Sequence, residues 1–438
     1  MKIPVVVAPR PVEFSPSVQM DAAMKAAGLD REIASAGATF ELTVQAGDSP
    51  NHGDQVAGVC RRIEKHVAEW EGCNVRVTFN LPGTADAAAE PASPSPVVPW
   101  TPDSAKLRDL NGSGAHAALL KVRTALARLT DPDAPFASVA TVGPLSPGSG
   151  PTTVATARIL AGRYADLDPA GDVRAAVIEA ARALGCAGAA PQTGVVEVGV
   201  NGTTALSDLL RLEATLRGLS ASCESLGVAV SLHLGLLAGG ESKGGLRVTI
   251  ALLGEVASSP RHGGPRVPVK GERLILLGEA PDEIGASSFL AAVHGLRTGE
   301  VPAVDFAREK KLHDVLLTLH KAGIVSHARG LSAGGLLGTV AEMVIGGAHG
   351  GGARVDLTSL GGTRADALLF GESQGRAVLV VPAEKVGTVL AEAHMRGVPA
   401  ALIGELTAEP LLDLKTRSLA TAWNVAELRN ARQVPSGG

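Results

Sequence analysis

Between residues 81 and 103 the chain reads LPGTADAAAEPASPSPVVPWTPD, six prolines in 23 residues with no hydrophobic period. Proline locks φ and lacks the N–H that a helix interior or a central strand requires. No core element can run through such a stretch, and it reads as a semi-rigid linker. A small unit, 1–80, is therefore expected ahead of a larger body, 104–438. The full 438 residues correspond to about three domains.

Composition narrows the architecture. Hydrophobic residues make up 45% of the chain, enough for packed cores, but aromatics only 3%, while glycine alone contributes 53 residues. Small side chains favour helices lying close on sheets. The 40 basic and 44 acidic residues give a net charge of −4, which argues against a dedicated nucleic-acid binder. Cys60, Cys73, Cys186 and Cys223 form no C-x-x-C pair, so neither a disulfide framework nor a structural zinc site is expected. The N-terminus, MKIPVVVAPRPVEF, shows no signal-type apolar run. Apolar runs such as Val248 to Leu253 are strand-sized, far short of a membrane span. A soluble, cytoplasmic protein is the expectation.

Periodicity then places the elements. In the small unit, Ile3 to Val7 reads as a strand and Ser17 to Ala27 as an amphipathic helix. Phe40, Leu42 and Val44 alternate as in a half-buried strand, and Val56, Val59, Ile63 and Val67 share one face of a helix over 55–70. Val75, Val77 and Phe79 close a small α+β domain. The body predicts helices over 173–184, 206–226, 308–321, 336–345 and 385–396. Strands are predicted over 228–237, 248–256, 274–277, 354–357 and 377–381. A Pro/Gly-rich connection, 257–271, suggests a subdomain boundary near 260.

Four groups of residues could carry chemistry. Segment 330–352 holds nine glycines in 23 residues, and Gly334-Gly335 precedes a helix whose free N–H groups could hold a phosphate. Close packing of that helix on a sheet is the alternative. Glu372, Ser373 and Arg376, just before the strand 377–381, could bind a phosphorylated ligand or form a solvated turn. Asp166 and Asp168 offer hard oxygens for Mg²⁺, although Asp168-Pro169 is equally an ordinary helix start. His313 and His320, seven apart, are expected on an exposed helical stripe. His327, expected in a loop, is an acid/base candidate.

Residues 164–438 resemble the formylglycinamide ribonucleotide amidotransferases, or phosphoribosylformylglycinamidine (FGAM) synthases, the PurL-type ligases of purine synthesis. The resemblance is carried by YADLDPAGDVRAAVIEAARALGCAGAAP (164–191), the helix at 210–231, VTIALLGEV (248–256), GLSAGGLLGTVAEM (330–343), LFGESQGRAVLVV (369–381) and LATAWNVAEL (419–428). Residues 1–80 are similar to the small PurS-type subunit. The implied layout is a PurS-like domain (1–80), a linker (81–103), and an AIR synthetase-like module of two α/β subdomains (104–259 and 260–438). The family phosphorylates an amide oxygen with ATP and Mg²⁺, and ammonia then displaces the phosphate.

Within that resemblance, Ser332, Gly334, Gly335, Glu372, Ser373 and Arg376 match the family's pattern and are implied nucleotide- or phosphate-binding residues. The metal-type positions depart from it. The family's Asp falls on Val196 and its Asn on Gly199, while a second ligand-bearing segment falls on Leu232 to Gly239, with Glu241 near enough to replace one ligand. The resemblance thus implies a degenerate, structural half of a synthase. It would work with a catalytic FGAM synthase chain and a separate glutaminase subunit, or as a homodimer. Two alternatives stand beside it: an active Mg-ATP-dependent amidoligase with ligands moved to Asp166, Asp168, Glu197 or Glu241, or a nucleotide-sensing protein that binds ATP or ADP without turnover.

Overall fold

The computed structural model describes residues 2–3, 39–44, 52–69, 76–80, 137–144, 151–201, 203–236, 246–256, 269–346, 350–360 and 364–433. The helix expected at 17–27, the segment 81–103, Cys73 and Glu241 lie outside these. The described residues fall into two compact units. One draws on 1–98, 140–180 and 191–254, and the other on 99–139, 181–190 and 255–438.

The first unit carries strands β1 (Lys2–Ile3), β2 (Thr39–Val44), β3 (Arg76–Asn80), β4 (Ala137–Pro144), β5 (Pro151–Ala161), β6 (Thr193–Val200), β7 (Thr203–Thr204), β8 (Ala229–Leu236) and β9 (Leu246–Glu255). Its helices are α1 (His52–Glu69), the first part of α2 (Pro169–Cys186), and α3 (Leu206–Leu226). The strands form a four-stranded sheet, β1-β3-β2-β7, and a five-stranded sheet, β4-β5-β9-β6-β8. The periodicity of α1 is realised: Val56, Val59, Ile63 and Val67 are all buried. This helix packs on α3, where Arg62 grips Glu213 through two hydrogen bonds of 2.7 and 2.9 Å. Helix α3 runs from Leu206 to Leu226 as expected, and it stops because Gly227 turns left-handed at φ 65°.

In β6, Val196, Val198 and Val200 alternate onto one buried face. Register places Val196 beside Leu232 of β8 on one side and Ile250 of β9 on the other.

The second unit is built on a seven-stranded sheet, β11-β13-β10-β14-β12-β15-β16. Its strands are β10 (Arg273–Leu277), β11 (His327–Gly330), β12 (Gly352–Asp356), β13 (Ala377–Val381), β14 (Ala400–Thr407), β15 (Leu411–Lys415) and β16 (Ala420–Asn424). Its helices are α4 (Ser288–His294), α5 (Phe306–Lys321), α6 (Gly335–Gly346), α7 (Ala365–Phe370), α8 (Val386–Met395) and α9 (Val425–Gln433).

The central strands β10 and β13 are apolar at every second position on both faces, which is why they read as continuous hydrophobic runs. Leu274, Leu276, Val378 and Val380 enter one core with residues of α4, α6, α7 and α9. Ile275, Leu277, Leu379 and Val381 enter a second core with α5 and α8. Each fully buried leucine or valine there contributes roughly 1.5–3 kcal/mol. Strand β15 instead alternates exposed and buried residues, so only one of its faces is covered. The fold is thus the mixed α/β type expected.

Two expectations about histidines fail. His313 is buried, not part of an exposed stripe, because α5 turns the face bearing Leu312, Val315, Leu316 and Leu319 into the second core. His327 is the first residue of β11, paired with Val380, not a loop residue.

Candidate functional site

The sequence pieces 330–335 and 371–376 meet in the second unit. Strand β11 delivers the chain to Ser332, a buried residue whose carbonyl accepts the N–H of Gly335 at 3.0 Å. Gly334 and Gly335 both adopt left-handed backbones, at φ 77° and 62°. A Cβ on Gly335 would lie 2.6 Å from the carbonyl oxygen of Gly371, so the second segment rests directly on the first. That contact needs glycine.

Glu372 fastens the arrangement. Its Oε1 accepts the N–H of Gly334 at 3.0 Å and that of Ser288, the first residue of α4, at 2.9 Å. One buried carboxylate therefore sits at the starts of α6 and α4, where the exposed N–H groups and the helix dipoles favour negative charge. Arg376, fully buried, donates from Nε to the Ser373 carbonyl at 3.1 Å and from Nη2 to the Gly371 carbonyl at 2.5 Å, closing its own loop. Among the described residues, the buried Ser373 hydroxyl has no hydrogen-bond partner. Ser332, Gly334, Gly335, Glu372, Ser373 and Arg376 thus share one locality, with Glu372 and Arg376 turned onto backbone groups.

Under both segments lies a pair that the sequence reading missed. Arg182, near the end of α2, is fully buried and donates from Nε and Nη2 to Glu309 of α5 at 3.2 and 2.5 Å. It also reaches the Leu331 carbonyl at 2.8 Å and Gln374 Oε1 at 2.7 Å. Glu309 in turn accepts the N–H of Gly375 at 2.6 Å. Helix α5 starts at Asp305, whose side chain caps the N–H of Arg308 at 3.0 Å and so sets Glu309 in the first turn. The sequence offered no signal for it: the same helix carries Asp172, Arg174 and Glu179, so Arg182 reads as one more polar position on it. Close by, burial pushes the Cys186 thiol up to about 12, so it stays protonated and unreactive at neutral pH.

The expected metal residues are placed differently. Asp166 pairs with Arg211 at 3.0 Å and Asp168 with Arg174 at 3.5 Å. Pro169 opens α2, and the Asp168 carbonyl accepts the Asp172 N–H, so Asp168-Pro169 is the helix start that its sequence also suggested. Glu197 lies beside His233 on the neighbouring strand. Among the described residues no three His, Cys, Asp or Glu side chains group as metal ligands do. Mg²⁺ needs several oxygens converging on one point, and arginine-paired Asp166 and Asp168 do not fit it. His327 is half-buried in β11, two residues along from Arg329.

Residues 269–416, which contain all six phosphate-site candidates, match the family described as AIR synthase related protein, C-terminal domain. A wider stretch is 32% identical over 283 residues to the phosphoribosylformylglycinamidine synthase subunit PurL of Deinococcus radiodurans, covering 60% of this chain and 37% of that protein. The chain carries a PurL-type, AIR synthetase-like module.

In fold, the PurL-type module is similar to Thermotoga maritima PurL complexed with FGAR, with a TM-score of 0.56, 18% identity and coverage of 74% of this chain and 56% of that one. T. maritima PurL complexed with ATP gives a TM-score of 0.51 at 19% identity, covering 64% and 45%. The chain spans little more than a third of its D. radiodurans relative. No described helix is long and apolar enough to cross a membrane.

Proposed function

We propose that this chain is a subunit of an FGAM synthase-type assembly in purine biosynthesis, supplying the synthetase-like scaffold without the full catalytic set. The observation that carries this reading is the row Ile250–Val196–Leu232, three buried apolar side chains on adjacent strands. Val196 stands where the family resemblance calls for an aspartate. A divalent cation cannot be held by a hydrocarbon surface, so no step through Mg²⁺ follows from these residues. A catalytic synthase chain and a glutaminase subunit would complete the assembly, with a homodimer as the other arrangement. The proposed division is a PurS-like domain at 1–80, a linker at 81–103, and subdomains at 104–259 and 260–438.

A second reading, a regulatory protein that binds ATP or ADP without turnover, is favoured by the Ser373 hydroxyl, which has no partner among the described residues and lies in the segment that rests on the glycine pair through Gly371. A phosphate there would draw on backbone N–H groups and that hydroxyl.

Phosphate release by the purified chain with Mg-ATP, formylglycinamide ribonucleotide and ammonium chloride tests these readings. No turnover alone, with turnover after a catalytic synthase chain is added, is the expected result. ADP binding without hydrolysis under either condition selects the regulatory reading. Substrate-dependent turnover by the chain alone, lost in Asp168→Asn, would overturn both in favour of an amidoligase with relocated ligands.

A further inference from the structure

We propose that Arg182 is a positioning residue that holds segments 330–335 and 371–376 in register, with Glu309 as its counter-ion. All the groups involved lie in the second unit. Arg182 reaches one segment through the Leu331 carbonyl, immediately before Ser332, and the other through Gln374 Oε1. Glu309, held by two of the guanidinium's bonds, takes the Gly375 N–H. Each segment is thus tied to the same planar group, from partners 149 and 192 residues away in sequence.

The stem of Arg182 contributes as well. A Cβ on Gly330 would lie 2.9 Å from Arg182 Cδ, so the first segment runs directly over the arginine side chain. Because Glu309 accepts from both Arg182 and the Gly375 N–H, the network fixes the two segments relative to each other. Arginine is required by geometry. Its fork presents Nε, Nη1 and Nη2 in one plane toward three separate acceptors, whereas a lysine offers donors from a single nitrogen and cannot reach all three. Bringing a charge pair into a core does not by itself stabilise a fold, since apolar replacements often do as well. What an apolar pair could not supply is the fixed distance between a carbonyl on one segment and an amide on the other.

The effect on ligand affinity rests on the phosphate-binding reading; the effect on the segments themselves does not. The test uses the full chain as wild type, Arg182→Lys and Gln374→Leu. Hydrogen exchange is followed in peptides covering 328–338, 370–377 and, as an internal reference, 386–395. ADP binding is followed by calorimetry.

Arg182→Lys should speed exchange in both segments together by about tenfold or more, the scale expected for losing one or two buried hydrogen bonds, and leave the reference unchanged. Gln374→Leu should loosen 370–377 alone. ADP affinity should fall about tenfold in Arg182→Lys. Loosening of only one segment in Arg182→Lys, or a uniform change that includes the reference, would overturn the proposal. If the wild type binds no ADP, the phosphate reading fails, and the exchange pattern still decides whether Arg182 sets the register.

Discussion

Glu372 and Gly334 are joined by a 3.0 Å hydrogen bond in which the glycine N–H, at the start of α6, donates to a buried carboxylate. The same oxygen accepts the N–H of Ser288 at the start of α4. A side chain that the sequence offers as a ligand-binding carboxylate is, in the folded chain, an internal anion shared by two helix starts. Any phosphate arriving at α6 meets a site already organised around a negative charge, so its binding depends on the groups around Glu372 and not on Glu372 itself.

Removing the Glu372 carboxylate should therefore cost stability first. Glu372→Gln keeps an oxygen acceptor in place and is expected to lose about 1–2 kcal/mol, because two charge-assisted bonds become neutral. Glu372→Ala takes the acceptor from one buried and one part-buried N–H group and is expected to lose about 2–3 kcal/mol. Urea unfolding of the three proteins checks the order. Equal stability of Glu372→Ala and wild type would show that the two helix starts do not rely on this residue.

Two glycines at opposite ends of α6 should respond oppositely to a methyl group. Gly335 has φ 62°, and its added Cβ would meet the Gly371 carbonyl oxygen at 2.6 Å. Gly335→Ala should destabilise by about 2–4 kcal/mol through clash and strain. A Cβ on Gly346 meets no described residue within 4 Å, so Gly346→Ala should be neutral or stabilise by up to about 1 kcal/mol. Thermal melts separate the two.

The elements were legible because their periods are clean. Leu206–Leu226 and Ala377–Val381 emerge with the boundaries that the apolar pattern marks. The glycine pair and the 371–376 turn could be marked as neighbours in function from family resemblance, but their contact through Gly335 and Gly371 could not, since nothing in either segment encodes the other. Arg182 and Glu309 stayed hidden for the same reason: each is an ordinary helix residue until the fold brings them together. His313 and His320 were misplaced because a seven-residue spacing fixes that they share a face, and says nothing of which way the face turns.

That misplacement carries a pH dependence. Burial lowers His320 from its ordinary value to about 4, with a bond to the Cys186 backbone pulling weakly the other way, and burial also lowers His313. Above about pH 6.5 both states of the chain hold neutral His320 and its contribution is constant. Between about pH 6.5 and 4 the unfolded chain takes up a proton that the folded chain refuses, so stability falls as pH falls, by up to about 3 kcal/mol for this residue. Asp172, raised to about 6 by burial, acts in the opposite sense over part of the same range. The clean measurement is the difference between wild type and His320→Gln in urea at pH 7.5 and pH 4.5. The variant should lose less stability on acidification, and equal losses would remove His320 as the cause.

Val196 offers the sharpest test of whether the module has lost its metal-type chemistry or merely moved it. The resemblance would restore an aspartate at this position, yet Val196 is fully buried between Leu232 and Ile250. A carboxylate placed there has no partner and must either carry a charge in hydrocarbon or take up a proton. Val196→Asp is expected to destabilise the chain by several kcal/mol at neutral pH, with part of that loss recovered on mild acidification as the carboxyl is neutralised. No Mg-ATP turnover should appear, because the neighbouring strands present leucine and isoleucine in place of further oxygen ligands. A folded Val196→Asp protein that gained Mg²⁺-dependent phosphate release would mean that the surrounding ligands are still in place, and that a single substitution separates this scaffold from an active synthetase module.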